Sequence, residues 1–161
     1  MLTLSGHTVF AAGGGELENS LIDCESQYMK DRSYGACSIL DHIAGYAVLK
    51  TKTITDNQFL LLPLDKATGI EDPAILSKPY NRRVSNLFYS AWQARGFVFE
   101  LLKQRGKILS ENNLALTINP ESNRSQNYLH IHISCLASST QKSLDDINFS
   151  AMGWGGGKVS M

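Results

Sequence analysis

The sequence predicts an α+β fold, in which short strands and helices follow one another along a single domain. The chain has 161 residues, of which 43% are apolar and 19% charged, a composition typical of globular proteins. Short apolar runs bounded by turn residues predict strands. Two longer stretches repeat apolar residues at helical spacing and predict helices.

The first half of the chain predicts one helix followed by a hairpin. Residues 16–30 place apolar side chains at helical spacing, so a short amphipathic helix is expected there. Residues 31–44 are polar and predict a connection without regular structure. Strands are expected over 45–50 and 57–63, and the turn residues between them predict a hairpin. Residues 64–83 contain glycine and proline breaks and are expected to be irregular.

The second half predicts the longest helix and two more strands. From residue 86 to about 103 the apolar residues recur at helical spacing, and Gly106 ends the pattern. Residues 113–118 predict a third strand, and 128–136 alternate strictly, as a half-buried strand does. A weakly helical stretch over 138–148 follows.

We expect one domain over residues 1–161, without a linker or an internal repeat. Residues 1–15 are either a trimmed leader or a loose N-terminal segment, and the glycine-rich residues 150–161 predict a loose tail. There is no apolar run of about 18 residues, so we expect no transmembrane helix. The fifteen basic and fifteen acidic residues cancel, which argues against nucleic acid as a partner.

The cysteines leave the cellular compartment open. Cys24 and Cys37 flank a polar stretch that can close as a loop, and a disulfide there would place the protein in the periplasm or outside the cell. Two free thiols would instead indicate a cytoplasmic protein. Cys135 lies within an apolar strand and is expected to be a small buried side chain.

The strand over 128–136 carries the pattern that points to chemistry. Side chains two residues apart in a strand share a face, so Tyr128, His130, His132 and Ser134 are expected on one face. The alternate residues are apolar and are expected to pack against the long helix. Polar side chains on a central strand are costly unless they face water or a pocket.

Three interpretations of this polar face compete. It can be a solvent-facing surface without a role. A His-x-His pair can bind a metal, but a metal site needs further ligands, and neither His7 nor His42 is obviously placed to supply one. A neutral imidazole can also attack phosphorus and form a covalent intermediate, assisted by neighbouring hydrogen-bonding groups. The third interpretation is the one we favour, and it predicts no metal and no other cofactor.

The stretch NPESNRSQNYLHIHISC, residues 119–135, resembles the CDP-diacylglycerol pyrophosphatase family of the histidine-triad-like superfamily. Four further features occur in the family's order: GYAVLK at 45–50, QFLLLP at 58–63, AWQAR at 91–95 and the Cys24–Cys37 spacing. The resemblance covers roughly residues 20–150. Several separated motifs in order are far more specific than a lone His-x-His pair.

The resemblance implies a fold and an activity. The implied fold is a meandering antiparallel sheet with one long helix packed across it. The implied activity is hydrolysis of the pyrophosphate of CDP-diacylglycerol to CMP and phosphatidate through a nucleotidyl-histidine, with nucleotidyl transfer as a variant of the same chemistry. The substrate would be a nucleotide or a nucleotide-linked phospholipid. A homodimer is left open, as is the natural substrate.

The resemblance also assigns roles to the histidines. His130 corresponds to the middle, nucleophilic histidine, although counting from Asn119 and Gln126 makes His132 the middle one and Ser134 the third. Tyr128 stands where the family has the first histidine of its triad.

Other residues match positions that surround the substrate in the family. Asn119 and Gln126 match polar positions that contact phosphate or orient the histidine. Arg124 matches a basic position suited to phosphate oxygens. Trp92 and Arg95 of the AWQAR motif are either a wall of the ligand pocket or structural residues of the helix.

Two departures from the family keep an alternative function open. Tyr128 removes one imidazole, and the sequence stops near residue 161, before the further C-terminal region and membrane anchor that the family usually carries. The alternative is a degenerate relative that binds an anionic ligand or carries out acid–base chemistry away from phosphorus.

Overall fold

The structure is a computed structural model that describes residues 15–53, 55–73, 75 and 86–146. Its elements in chain order are α1 (Glu16–Asp31), β1 (Cys37–Asp41), β2 (Tyr46–Lys50), β3 (Phe59–Pro63), α2 (Leu87–Gln93), α3 (Gly96–Gln104), β4 (Leu114–Thr117), β5 (Ile131–Cys135) and α4 (Ser138–Asp145). Single 3₁₀ turns at Glu111–Asn113 and Glu121–Asn123 precede and follow β4. No helix among these elements is both long and apolar enough to cross a lipid bilayer.

The five strands form one antiparallel sheet in the order β1-β2-β3-β5-β4. Strands β1 to β3 are a meander, and β5 lies between β3 and β4. The predicted α+β class with an antiparallel sheet is confirmed. The strand that carries the histidines is flanked on both sides, so its register is fixed by two neighbours rather than one.

The apolar residues of the sheet pack in two clusters, one on each face. On one face α2 and α3 cover the sheet, and the buried residues of this cluster are Val48, Phe59, Leu61, Ala91, Ala94, Val98, Leu102, Leu114, Ile131 and Ile133. On the other face α1 covers the sheet, and the buried residues are Leu21, Cys24, Cys37, Leu40, Ala47, Leu49, Leu60, Leu62 and Tyr128. The predicted packing of the apolar side of β5 against the helix after residue 86 is confirmed.

The segment 31–44, expected to be irregular, contains strand β1. Cys37 and Leu40 are buried and Ser38 and Asp41 are not, because β1 is an edge strand with one covered face. The strand could not be predicted, because its two buried residues are three apart and do not alternate as in a half-buried strand. Asp41 ends it and accepts hydrogen bonds from the backbone N–H groups of Ile43 and Ala44, which forms the turn into β2.

The single long helix expected after residue 86 is two helices, α2 and α3. At the junction the N–H of Phe97 bonds the carbonyl of Ala94, and the N–H of Val98 bonds that of Arg95. These hydrogen bonds span three residues, as in a 3₁₀ turn, rather than the four of an α-helix. Gly96 begins α3. Helix α1, with 16 residues, is therefore the longest described helix.

Cys24 and Cys37 form a disulfide with a Cα–Cα distance of 5.8 Å, and both side chains are buried. The bond joins the middle of α1 to the first residue of β1. It is the outcome that the sequence left open. Cys135 is a free thiol and only partly buried, and its burial raises the pKa of the thiol.

Several predicted segments lie outside the described residues. They are residues 1–14, the C-terminal tail from residue 147 onward and, within the segment 64–83 that was expected to be irregular, residues 74 and 76–83. The strand expected over 128–136 begins only at Ile131, where the ladder with β3 starts. Before it, the backbone N–H of Leu129 donates to the carbonyl of Ala67 in the loop after β3.

Candidate functional site

His130 and His132 lie together on the face of the sheet that α1 covers. His132 pairs with Leu60 of β3 and with Thr117 of β4, and side chains of directly opposed residues point to the same face. Leu60 belongs to the cluster under α1, which identifies the face. The ring centroids of the two histidines are 4.9 Å apart in an edge-to-face arrangement. The structure thus brings the predicted pair into direct contact.

The tautomer of His130 is set by its own backbone. Its Nδ1 lies 2.6 Å from the carbonyl oxygen of Tyr128. A carbonyl oxygen can only accept, so Nδ1 carries the proton in this hydrogen bond. In the neutral ring Nε2 then holds a free lone pair, which is the atom a nucleophilic histidine uses. His130 is 8% exposed, so the ring is held among packed neighbours.

His132 is half-buried and in a different electrostatic situation. Burial, followed by the charge of His130, lowers the pKa of His132 below its ordinary value. The side-chain amide nitrogen of Asn119 lies 3.4 Å from Nε2 of His132. Because an amide NH₂ only donates, this contact favours the tautomer with the proton on Nδ1. The structure therefore places Asn119 beside His132, a position compatible with one of the two roles predicted for it, that of orienting the histidine.

Tyr128 is placed in the core rather than at the reactive end of the histidines. It is 4% exposed and belongs to the apolar cluster under α1. Its hydroxyl donates to the carbonyl oxygen of Pro63 at 2.8 Å. Burial raises the pKa of Tyr128 to about 12. The hydroxyl is thus a neutral donor that is already engaged, which is a poor arrangement for acid–base chemistry near neutral pH.

Gln126 and Arg124 hold the loop before β5 in place. The side-chain oxygen of Gln126 accepts the backbone N–H of Leu17 at 2.8 Å, one of the N–H groups that the first turn of α1 leaves without a helical partner. Arg124 forms an ion pair with Glu71, and its Nε donates to Asn127 at 3.1 Å. Arg124 was predicted to contact phosphate, and Gln126 either to contact phosphate or to orient the histidine; the contacts described here for both lie within the protein.

Ser134 and Thr117 lie on the histidine face, both next to His132. Ser134 follows His132 by two residues on β5 and pairs with Ala115 across β4. Thr117 is directly opposite His132, and the sequence analysis did not single it out. Only the strand register identifies Thr117, since it follows no pattern along its own segment.

Trp92 and Arg95 are not brought to the histidines. Trp92 packs against the apolar cluster under α2 and α3, on the other face of the sheet. The guanidinium of Arg95 lies 4.5 Å from the centre of the Trp92 ring, donates to the Trp92 carbonyl and pairs with Glu111 at 3.2 Å. These contacts support the structural interpretation of the AWQAR motif.

A cavity of about 450 Å³ also lies on that other face, beside the junction of α2 and α3. It is lined by Ile39, Tyr46, Gln93, Ala94, Gly96, Phe97 and Glu100. Its walls are almost entirely apolar, and it lies on the opposite face of the sheet from the histidine pair. Among the described residues no group of three or more His, Cys, Asp or Glu side chains is arranged to hold a metal ion.

Comparison with known proteins places these residues in a family. The sequence profile described as "CDP-diacylglycerol pyrophosphatase" matches residues 19–155. The "Probable CDP-diacylglycerol pyrophosphatase" of Mycobacterium leprae is 42% identical over 134 residues, 81% of this chain and 46% of that protein. The "CDP-diacylglycerol pyrophosphatase" of Mycobacterium tuberculosis is 39% identical over 132 residues, 81% of this chain and 48% of that protein.

The chain therefore spans about half the length of the curated relatives it matches. Among solved structures, a "HIT family hydrolase" from Clostridium thermocellum covers 73% of this chain and 90% of its own, with 12% identity and a TM-score of 0.42. That likeness is too distant to support an argument about fold or function.

Proposed function

We infer that this chain, which belongs to the CDP-diacylglycerol pyrophosphatase family, is a hydrolase that cleaves the pyrophosphate bond of a nucleotide-linked substrate. A substrate such as CDP-diacylglycerol would give CMP and phosphatidate. The relatives are about twice as long, so this activity is proposed here for the half that carries the histidine pair.

The observation that supports the proposal most is the 2.6 Å contact between Nδ1 of His130 and the Tyr128 carbonyl. It assigns the proton of the neutral ring to Nδ1 and leaves Nε2 as the nucleophile. His130 is favoured over His132 as the nucleophile, because the Nε2 of His132 faces the side-chain amide of Asn119. The Nδ1 contact of His130 also keeps its imidazole from rotating, which lowers the entropy lost when the ring meets phosphorus.

The reaction would proceed in two displacements. In the first, Nε2 of His130 attacks the phosphorus of the CMP group, a P–N bond forms and the P–O bond to the bridging oxygen breaks, so phosphatidate leaves with the electron pair. In the second, water attacks the same phosphorus and the P–N bond breaks, which returns the electron pair to Nε2 and releases CMP and a proton. Two displacements need only one nucleophile on the protein.

His132 would serve the same transition states as a hydrogen-bond donor. With Nε2 facing Asn119, its Nδ1–H is the donor available for a phosphate oxygen. The lowered pKa keeps the ring neutral near pH 7, so it donates without repelling a cationic His130 intermediate. Ser134 and Thr117 share its face and are placed to add hydroxyl donors along the sheet.

A second candidate function is ligand binding without turnover. It is favoured by Tyr128, which the resemblance places at the first histidine of the family's triad and whose hydroxyl already bonds the Pro63 carbonyl. Such a protein would bind a nucleotide diphosphate and would form no covalent adduct.

The two candidates separate in one experiment. The protein is incubated with CDP-diacylglycerol in mixed micelles, CMP is measured by chromatography and the protein is analysed by intact mass spectrometry. We expect CMP release and, after rapid quenching under alkaline conditions, a CMP adduct that His130→Ala lacks. Binding of the substrate with neither CMP nor an adduct would reject the hydrolase and support the binding protein.

A further inference from the structure

We propose that Tyr128 is a positioning residue for His130: its ring and hydroxyl fix the peptide whose carbonyl orients the imidazole. The inference rests on the proposed function only for its effect on rate, because the orientation of the ring can be measured without any substrate. It assigns a purpose to the residue that replaces the family's first histidine.

The peptide between Tyr128 and Leu129 is held at both of its polar groups. Its carbonyl accepts the Nδ1 proton of His130 at 2.6 Å. Its N–H donates to the carbonyl of Ala67 at 2.7 Å. A peptide that donates at one end is polarised and accepts more strongly at the other, so the Ala67 bond strengthens the one to His130. The plane of this peptide therefore decides where the imidazole points.

Tyr128 anchors this peptide from its side-chain end. The hydroxyl reaches the Pro63 carbonyl at the last residue of β3, and the ring packs with Leu21 and Leu62 in the cluster under α1. Pro63 is the last residue of β3, and Ala67 lies in the loop that follows it. Residue 128 is thus joined to this segment twice, by the bond of its side-chain hydroxyl to Pro63 and by the bond of the next backbone N–H to Ala67.

The supporting segment is itself fixed, which makes the anchor a rigid one. Lys66 forms an ion pair with Glu18 of α1 at 2.8 Å, and Thr68 bonds Asp72 through both its N–H and its hydroxyl. The Arg124–Glu71 pair joins the same segment to the loop before β5. A phenol is long enough to span from residue 128 to this segment.

The first test uses the wild-type protein and needs no variant. In long-range ¹⁵N–¹H spectra near neutral pH, we expect His130 to show a protonated Nδ1 and an unprotonated Nε2, with the Nδ1 proton slow to exchange. His130→Ala assigns the signals. A His130 ring that carries its proton on Nε2, or that averages between both nitrogens, would overturn the proposal.

The second test compares Tyr128→Phe with Tyr89→Phe, a control at a tyrosine that is 62% exposed on α2. Tyr128→Phe removes only the hydroxyl and keeps the buried ring. We expect the His130 tautomers to mix, and kcat to fall about tenfold with KM within about twofold, the size of effect of one ordinary hydrogen bond. Tyr89→Phe should change neither quantity.

Each combination of results is informative. A fall in kcat with an unchanged His130 tautomer would mean that the hydroxyl acts in the reaction itself, and the positioning role would be rejected. An unchanged tautomer and unchanged kcat would reject it as well. If the wild-type protein releases no CMP but Tyr128→Phe still mixes the His130 tautomers, the positioning role is supported and the proposed hydrolase is rejected.

Discussion

The two faces of the sheet differ in the contacts that accompany their apolar clusters. The cluster under α2 and α3 contains Ile131 and Ile133, and the polar contacts beside it are those of Arg95 with Glu111 and of Arg105 with Asn57. The face under α1 has an apolar cluster as well, but a disulfide, the Gln126 bond to Leu17 and the Arg124–Glu71 ion pair add specific contacts around it. Apolar packing tolerates small shifts, whereas a reacting imidazole does not. The face proposed to bind substrate has, in these contacts, a means of fixing the segments around the histidines.

Residues 130–133, which are the first three residues of β5 and the one before it, alternate between the two faces. Ile131 and Ile133 bury their side chains on one side, and His130 and His132 meet on the other. A change to an isoleucine should therefore affect the free energy of unfolding, and a change to a histidine should affect the reaction. Four predictions test this separation, from the largest effect to the smallest.

His130→Ala should abolish turnover, lowering kcat by at least about a thousandfold, since it removes the proposed nucleophile. The free energy of unfolding should also fall, because a buried side chain is removed and the Tyr128 carbonyl loses its donor, so kcat is compared at a temperature where both proteins are folded. His42→Ala is the matched control: His42 pairs with Glu25 on the outside of α1 and should leave kcat within about twofold. The rate of CMP release at saturating substrate gives kcat for both variants. A His130→Ala protein that retains more than about a tenth of the rate would remove the histidine from the mechanism.

Ile133→Ala should lower the free energy of unfolding by roughly 2–5 kcal/mol, because the side chain is fully buried and a cavity would remain under the helices. Urea denaturation followed by circular dichroism measures it. Ile108→Ala is the control, since Ile108 is fully exposed and should change stability by less than about 0.5 kcal/mol. Equal effects of the two substitutions would show that Ile133 is not in the core.

Reduction of the Cys24–Cys37 disulfide should lower the free energy of unfolding by about 3 kcal/mol, the chain-entropy value for a loop of 13 residues. The same denaturation series with and without a thiol reductant measures it. Cys135→Ala should leave the reductant effect unchanged, because Cys135 is not in a disulfide. Loss of the reductant effect in Cys135→Ala would show that the effect depends on Cys135 and would contradict its assignment to the Cys24–Cys37 disulfide.

Acid should weaken the histidine face through His132. Its pKa is lowered in the folded protein, so the unfolded chain binds a proton first as the pH falls below about 6.5. The free energy of unfolding should therefore be fully retained above that pH and fall as the pH drops toward the lowered pKa. His132→Gln should flatten this part of the profile. An unchanged slope in His132→Gln would show that another group causes it.

The α1 helix, the β2–β3 hairpin and the strict alternation of β5 could all be predicted from the sequence. Each depends on periodicity within one segment, and each follows from local backbone geometry. The partnership of His130 with His132 belongs to the same class, since residues two apart in a strand share a face. The disulfide was left open, because spacing along the chain does not fix the distance between two cysteines.

The roles of the residues around the histidines were decided by contacts between distant segments. Gln126 meets Leu17, Arg124 meets Glu71 and Tyr128 meets Pro63, over separations of 109, 53 and 65 residues. No local pattern encodes such pairings, so the sequence could not show that side chains predicted to act at the substrate also bind other parts of the protein. The break between α2 and α3 escaped prediction for a related reason, since the apolar spacing continues across it.

By itself the sequence determined that two imidazoles would lie side by side on a half-buried strand, because a strand alternates its side chains whatever surrounds it. Only the tertiary structure decided which imidazole is held with a free Nε2. That choice depends on one peptide plane, fixed by Pro63 and Ala67 from another strand and its following loop. Hydrogen bonds of this kind depend on distance and angle, and a linear pattern specifies neither.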